Sequence, residues 1–396
     1  MGARAAEVAS VRQRIMRGKL IKYGLSREEI SMGLFRKGPS LWKRLTDGMA
    51  LQDLWRQLRS GASSSYGLYS RDMESETFRR MPRWKQVARI AAALFWELSA
   101  ARRVCLILGL LLLAGGRQEQ AQGPMIFGAL LVLLVLGLEL ADRVTMKRDL
   151  EIAREIQGWL VPKAPPSVAG TDIAFVTLPA NTVSGDYCDV FLWPGPPGQP
   201  ATEHLLLVVA DVAGKSVPAA LLMATFHASL RTLAVNPMPL VELVSCVNRY
   251  TCAHSLGGLR FTTAFLADLD TTTGILRYVN AGHNHPVLVH SGGTIERLEA
   301  GGLPLGVDEK ALYHSGESLL SVGDRLIIFT DGVVEAQNAK EEEYGEARLL
   351  ALLRSPLEER SAELLARLMA SLGNFVGAAA RYDDITLLIL RILPRA

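Results

Sequence analysis

The sequence predicts an α+β sandwich preceded by an apolar helical segment, and three observations carry that expectation. Short β-rich runs such as "HLLLVVA", "RFTTAFLADLD", "GILRYVN" and "DRLIIFT" recur through the second half of the chain. Helical patterns sit in groups between them, which fits an α+β layering and does not fit alternating βαβ units. Upstream, two dense apolar runs lie close together, "VCLILGLLLLAGG" (Val104–Gly116) and "MIFGALLVLLVLGLELA" (Met125–Ala141).

Taken in order, residues 1–100 form a basic region. Apolar Val11, Ile15, Leu20 and Ile21 recur among basic residues, which suits either a helix lying on an anionic membrane or a solvated helix. "RSGASSSYGLYSRDMESE" (Arg59–Glu76) reads as linker, and "WKQVARIAAALFWEL" has helical spacing. The two apolar runs each fall short of the ~20 residues that span a bilayer comfortably. Arg102, Arg103, Arg143, Lys147 and Arg148 flank their outer ends, whereas the loop between them carries only Arg117. The positive-inside rule then predicts a transmembrane hairpin over 101–142 with both termini in the cytoplasm, in an inner (cytoplasmic) membrane. A buried helical hairpin is the soluble alternative. The first thirty residues contain no apolar stretch of the signal-peptide kind.

Over 143–166, Val144, Leu150, Ile152, Ile156, Trp159 and Leu160 form a helical stripe that Pro162, Pro165 and Pro166 stop. The stripe suits a parallel homodimer or a helix packed on its own domain. From 167 to 396 the strand runs begin with "TDIAFVTL" and end with "DITLLILRIL". "RFTTAFLADLDTTTGILRYVNAG" and "PVLVHSGGTIERLEA" read as hairpins, so the sheet should be largely antiparallel. Helices are expected at "PAALLMATFHASLRTLA", "LVELVSCVNRYTCAH" and "SAELLARLMASLGNFVG", the first capped by Ser216 with Pro218 in its first turn.

The 396-residue chain has a formal charge of +3, unevenly spread. Met1–Arg103 holds 21 basic against 9 acidic residues, so an anionic surface is the expected neighbour of this region. The adjoining apolar runs favour a membrane over nucleic acid. Cys105, Cys188, Cys246 and Cys252 form no CxxC pair, which points to reduced thiols. None of them precedes the Gly-rich, Arg-bearing loop that a cysteine-nucleophile phosphatase needs.

The candidate chemistry lies in acids at strand termini: Asp186 and Asp189 in "SGDYCD", Asp211 in "ADVAGKS", Asp331 in "FTDG", Asp383 and Asp384 in "RYDDIT". Any one could be a turn aspartate. Together, without a histidine or cysteine set, they suit hard cations such as Mg²⁺ or Mn²⁺. Two such ions can lower the pKa of a shared water and neutralise phosphoryl oxygens.

In order and spacing, "SGDYCDVF", "VVADVAGKSVPAALLMA", "FTTAFLADLD", "YVNAGHNHPVLV", "LPLGV", "GDRLIIFTDGVVEAQN" and "DDITLLIL" resemble the metal-dependent protein serine/threonine phosphatases (PPM), in their bacterial SpoIIE/RsbU-like branch. The resemblance covers roughly Glu151–Pro394. It implies an α-β-β-α sandwich of two antiparallel sheets flanked by helices, here preceded by the helical linker and the two transmembrane helices. It also implies a two-ion Mn²⁺ or Mg²⁺ centre. Asp186 and Asp211 match the acids holding the metal pair, and Val212 stands where a backbone carbonyl contributes. Asp331 and Asp383 match the remaining ligands, Asp384 supports the ligand shell, and Asp189 is a structural or supporting acid. "SGD" and "DVAGKS" stand where "GGD" and "DVSGKG" are common. His283 and His285 of "NAGHNHP" invite a general-acid role but suit a turn better. The implied substrate is phosphoserine or phosphothreonine on a partner protein resembling a STAS-type anti-sigma-factor antagonist. A PPM-fold scaffold that binds a partner without turnover is the alternative.

Overall fold

The computed structural model describes residues 82–115, 122–198, 204–214, 216–254, 260–354, 359–377, 379 and 381–395. The expected linker at Arg59–Glu76 and the expected helix around Val11–Ile21 lie outside them. Two compact units divide at Met146/Lys147.

In the first unit, α1 (Arg83–Glu97) and α2 (Ala100–Gly115) precede α3 (Gln122–Leu160), a helix that continues into the second unit. α2 and the start of α3 form a hairpin whose backbones nearly touch. A Cβ on Gly128 would lie 2.8 Å from the Gly109 carbonyl oxygen, and one on Gly109 would lie 3.0 Å from that of Gly128. Only residues without a side chain allow this approach. Glu139, anomalous within an apolar run, is answered by Arg102, whose Nη1 lies 3.1 Å from Glu139 Oε2 and whose Nη2 reaches Asp142. Arg102 is buried, and its charge is paired with two partly exposed carboxylates. The hairpin is therefore present, and one of its two helices is a candidate membrane span. Among the described residues only α3 is long and apolar enough to cross a bilayer; α2 spans 16 described residues.

The second unit is a four-layer sandwich. One sheet has the order β1-β11-β10-β6-β7, formed by β1 (Thr171–Leu178), β6 (Val287–Val289), β7 (Ile295–Arg297), β10 (Arg325–Phe329) and β11 (Ile385–Ile392). The other runs β2-β3-β4-β5-β8, from β2 (Asp186–Trp193), β3 (His204–Val212), β4 (Thr262–Asp270), β5 (Ile275–Ala281) and β8 (Gly301–Gly302), with β9 (Gly316–Leu319) also on β5. β3 explains the layering. Its Leu205, Leu207 and Val209 face the other sheet, meeting Leu326, Ile328 and Leu388. Leu206, Val208 and Ala210 face α4 (Val217–Leu233) and α5 (Leu240–His254). With both faces buried the strand reads as a continuous apolar run. The outer face of the first sheet is covered by α7 (Glu346–Leu353) and α8 (Ser361–Val376) through Leu349, Leu364 and Leu368. A short α6 (Asp331–Val334) follows β10.

The sheets are largely antiparallel as expected, with one exception, and one helix cap is corrected. The β5–β8 pair is parallel, not antiparallel. A Cβ at Gly301 would collide with the Asn280 carbonyl, so the Gly-Gly pair is what admits this extra strand. Ser216 does not cap α4: its φ of 63° and ψ of −151° leave the side chain without a capping hydrogen bond, although Pro218 does open the helix. The four cysteines are free thiols.

At the end of β6, His290 sits between two carboxylates, with Nδ1 3.1 Å from Asp324 Oδ2 and Nε2 3.3 Å from Glu296 Oε2. Burial disfavours its charged form, but the hydrogen bonds to Asp324 and then Glu296 outweigh it and raise its pKa. A raised folded-state pKa means stabilisation fully present below the unfolded value of about 6.5 and lost as pH rises through the folded value. The urea midpoint of the second unit should therefore fall as pH rises above about 6.5, and fall less in His290→Gln. Parallel pH profiles for the two proteins would refute this.

Candidate metal centre

The aspartates gather at one end of the sandwich because strand register puts them there. Asp186 opens β2 and Asp211 is its direct partner near the end of β3. Across such a pair Cα atoms are about 4.5–5.5 Å apart, so the two carboxylates belong to one small volume. Asp186 is buried, and burial, followed by the Asp211 charge, pushes its pKa well above the carboxylate range. Thr330 works against that shift, its hydroxyl donating to Asp186 Oδ2 at 2.9 Å. Thr330 in turn accepts from the Thr386 amide at 2.9 Å, which ties the "FTDG" and "DDIT" segments to Asp186.

Asp384 stitches the remaining loops. Its Oδ2 accepts from the Gly185 amide at 2.7 Å and the Ser184 hydroxyl at 2.9 Å, and its Oδ1 from the Ala180 amide at 2.7 Å. Ser184 Oγ also accepts from the Asp186 amide at 3.0 Å, so Asp384 fixes the loop that aims Asp186. On the other side, a Cβ at Gly332 would collide with the Asp384 carbonyl. The "TDG" turn thus lies directly against the "DD" turn, and glycine is the residue that permits it. Gly185 has a similar place: a Cβ there would come 3.2 Å from the Val212 carbonyl oxygen. That carbonyl is therefore at the same end of the sandwich as Asp186.

Asp331 begins α6 and is half-buried, whereas Asp383 is exposed and accepts from the Asp384 amide at 3.0 Å. Among the described residues, no three histidine, cysteine or acidic side chains converge to the spacing of a complete metal shell. The structure opposes Asp186 and Asp211 directly and brings the loops bearing Asp331 and Asp383 alongside.

Asp189 serves another purpose. It is fully buried, and Arg231 of α4 donates to it through Nε at 2.7 Å and Nη2 at 2.9 Å. The Tyr187 hydroxyl donates at 2.5 Å and lies 3.0 Å from His227 Nδ1. These bonds fasten α4 to the strand that starts with Asp186. His283 is buried in a turn, its Nδ1 3.1 Å from Thr263 Oγ1, and Thr263 is the cross-strand partner of Asp211. His285 is exposed.

Three contributors carried little signal in the sequence: Ser184, Thr330 and Gln157. Gln157, near the end of α3, donates from Nε2 to the Ser184 carbonyl at 2.6 Å and accepts from the Ser184 amide at 2.9 Å. A polar residue beside an apolar stripe reads as solvent-facing, so only the fold reveals that it grips the "SGD" loop.

Residues 201–393 match the family model described as Stage II sporulation protein E (SpoIIE), a stretch that includes Asp211, Asp331 and Asp383 but not Asp186. Protein IcfG of Synechocystis sp. is 27% identical over 281 residues, covering 64% of this chain and 43% of IcfG. The phosphoserine phosphatase RsbU of Bacillus subtilis is 28% identical over 249 residues, covering 62% of this chain and 70% of RsbU. The chain thus spans less than half of one of these relatives and about two thirds of the other. Among solved structures, the SiaA-PP2C domain of Pseudomonas aeruginosa superposes with a TM-score of 0.56 at 21% identity, over 64% of this chain and 99% of that domain. The second unit therefore has the PP2C-like fold of two sheets and flanking helices, and it carries a domain related to the SpoIIE-type phosphatases with RsbU among its homologues.

Proposed function

We propose that the chain is a membrane-anchored, metal-dependent protein serine/threonine phosphatase acting on a phosphorylated signalling protein, with a STAS-type anti-sigma-factor antagonist as its substrate class. The observation that carries this reading is the in-register opposition of Asp186 and Asp211 at the point where the "SGD", "TDG" and "DD" loops meet. Two like charges side by side, one of them buried, call for a cation, and an all-oxygen donor set suits Mn²⁺ or Mg²⁺. Asp186, Asp211, Asp331 and Asp383, with the Val212 carbonyl, would hold two ions. Once bound, such ions neutralise phosphoryl oxygens and lower the pKa of the attacking water. In the net reaction the water oxygen bonds to phosphorus as the phosphorus–Oγ bond of the phosphoresidue breaks. The serine or threonine oxygen takes up a proton, and inorganic phosphate leaves. Asp384 and Thr330 hold the loops during turnover, and Asp189 keeps α4 in place behind Asp211.

Membrane anchoring is supported by α3. Its Phe127, Leu130, Leu133, Leu136 and Leu140 are exposed, as a lipid-facing surface requires. Homodimerisation through the linker is supported by the exposure of Ile152, Ile156 and Trp159, the last at 70%. Such exposed side chains offer a face to a second helix.

Hydrolysis of a phosphoserine peptide by the detergent-solubilised full-length protein should require Mn²⁺ or Mg²⁺ and disappear with EDTA. Asp211→Asn should cost more than the ~10–100-fold typical of groups outside the ligand shell, with the circular dichroism spectrum unchanged. Full activity in chelator, or a variant close to wild type, would refute the metal centre.

Coupling between linker and site is tested separately. Ile152→Pro interrupts α3 at a local cost of about 3 kcal/mol or more, and Gln157→Ala removes both bonds to Ser184. Both variants should change turnover at saturating metal relative to wild type. If all three proteins hydrolyse the peptide at one rate, the linker is only a tether.

A further inference from the structure

Arg260 lies close to the candidate centre, two residues before Thr262, the cross-strand partner of Val212. Arg231 is bound to Asp189 and Arg277 to Glu317, but Arg260 makes no hydrogen bond or ion pair with any described residue. Its position is set by the strand it precedes. Thr263 pairs with Asp211 and Thr262 with Val212, and the Phe261 carbonyl accepts from the Ala213 amide at 2.8 Å. Arg260 therefore lies beside the turn that leads directly away from Asp211. Its guanidinium is laid over that turn: a Cβ on Gly214 would come within 2.5 Å of Nη1. Gly214 has a φ of 128°, so the chain uses glycine here both for its backbone angle and for the space the guanidinium fills. Arg260 is half-buried and also lines a small recess with Leu222, Thr225, Tyr250, Thr251 and His254.

A cation so placed answers a need of the site. A phosphoresidue brings up to two negative charges towards an end of the sandwich that already bears five aspartates. The guanidinium fork binds phosphoryl oxygens through two parallel N–H donors, which a lysine cannot do. We propose that Arg260 is the phosphate anchor of this centre, gripping the phosphoryl oxygens of a phosphoserine or phosphothreonine side chain. The proposal rests on the phosphatase reading for its substrate class. Its role is to bind and orient, and it takes no part in holding metal.

The test uses full-length protein in detergent with saturating Mn²⁺, comparing wild type, Arg260→Ala and Arg260→Lys. Two quantities are measured: the affinity for inorganic phosphate by calorimetry, and kcat and KM for a phosphoserine peptide. Arg260→Ala should weaken phosphate binding and raise KM by about ten- to a hundredfold, the loss expected for a charge-assisted bond. Arg260→Lys should fall between the two, and the Mn²⁺ concentration for half-maximal activation should not move. Equal phosphate affinity in wild type and Arg260→Ala overturns the proposal, as does a wild type that binds no phosphate. A shifted Mn²⁺ requirement without a change in phosphate affinity overturns it too, because the residue would then act on the metal centre. Should Arg260→Ala not fold, Arg260→Lys decides alone by the same two measurements. A wild type that hydrolyses nothing refutes the phosphatase reading, and phosphate affinity still judges Arg260 by itself.

Discussion

The opposition of Asp186 and Asp211 is the constraint on which the rest of this domain turns. Placing two carboxylates on adjacent strands, in register and largely out of water, is unfavourable for an isolated protein. A fold keeps such a pair only where its surroundings over-determine the geometry. Here β3 is apolar from Leu205 to Ala210 and packed on both faces, so it cannot slip by one residue without turning its core side chains around. The core thus fixes the register, and the register fixes the pair.

Around that pair, close backbone approaches replace long side chains. Gly332 lets the "TDG" turn lie against Asp384, and Gly185 lets the "SGD" loop lie against the Val212 carbonyl. Asp384 then spends its carboxylate on three donors from the 180–185 loop, which leaves Asp186 free to point elsewhere. The bidentate Arg231–Asp189 bond does the corresponding work for α4, and its partner carboxylate is fully buried. Charged groups that would otherwise be costly in a core become positioning elements here because both carboxylates, Asp384 and Asp189, are multiply hydrogen-bonded.

Much of this was legible in the sequence, for reasons that differ by element. β1, β3, β4, β10 and β11 announce themselves as apolar runs, and α5 as a stripe, because each packs against a continuous surface. β2 did not, since "DYCDVFLW" mixes two buried aspartates into a strand and so breaks the apolar pattern. β8 and β9 were missed because their pairing rests on glycine contacts rather than on side-chain character. The acids at strand ends were visible, but the bonds that aim them, through Ser184, Thr330 and Thr386, were not. A hydroxyl's partner depends on which loops meet in space, and residues such as Ser184 and Asp384 lie 200 positions apart.

The linker shows how far a single polar side chain can extend that logic. Gln157 engages both the amide and the carbonyl of Ser184, a two-point grip that fixes direction as well as distance. Successive residues of a helix are about 100° apart around its axis. A turn of α3 by one residue's worth would swing Gln157 away from Ser184 and bring a neighbour such as Ile156 or Gly158 in its place. Neither neighbour has a side chain able to replace the two bonds. The Ser184 loop would then lose its outer support while keeping its inner one from Asp384. Because Ser184 also accepts from the Asp186 amide, the state of the linker bears on the first carboxylate of the pair through one intervening residue. A rotation of the helix would thus reach the Asp186 loop without any change in the core that holds Asp186 and Asp211 in register.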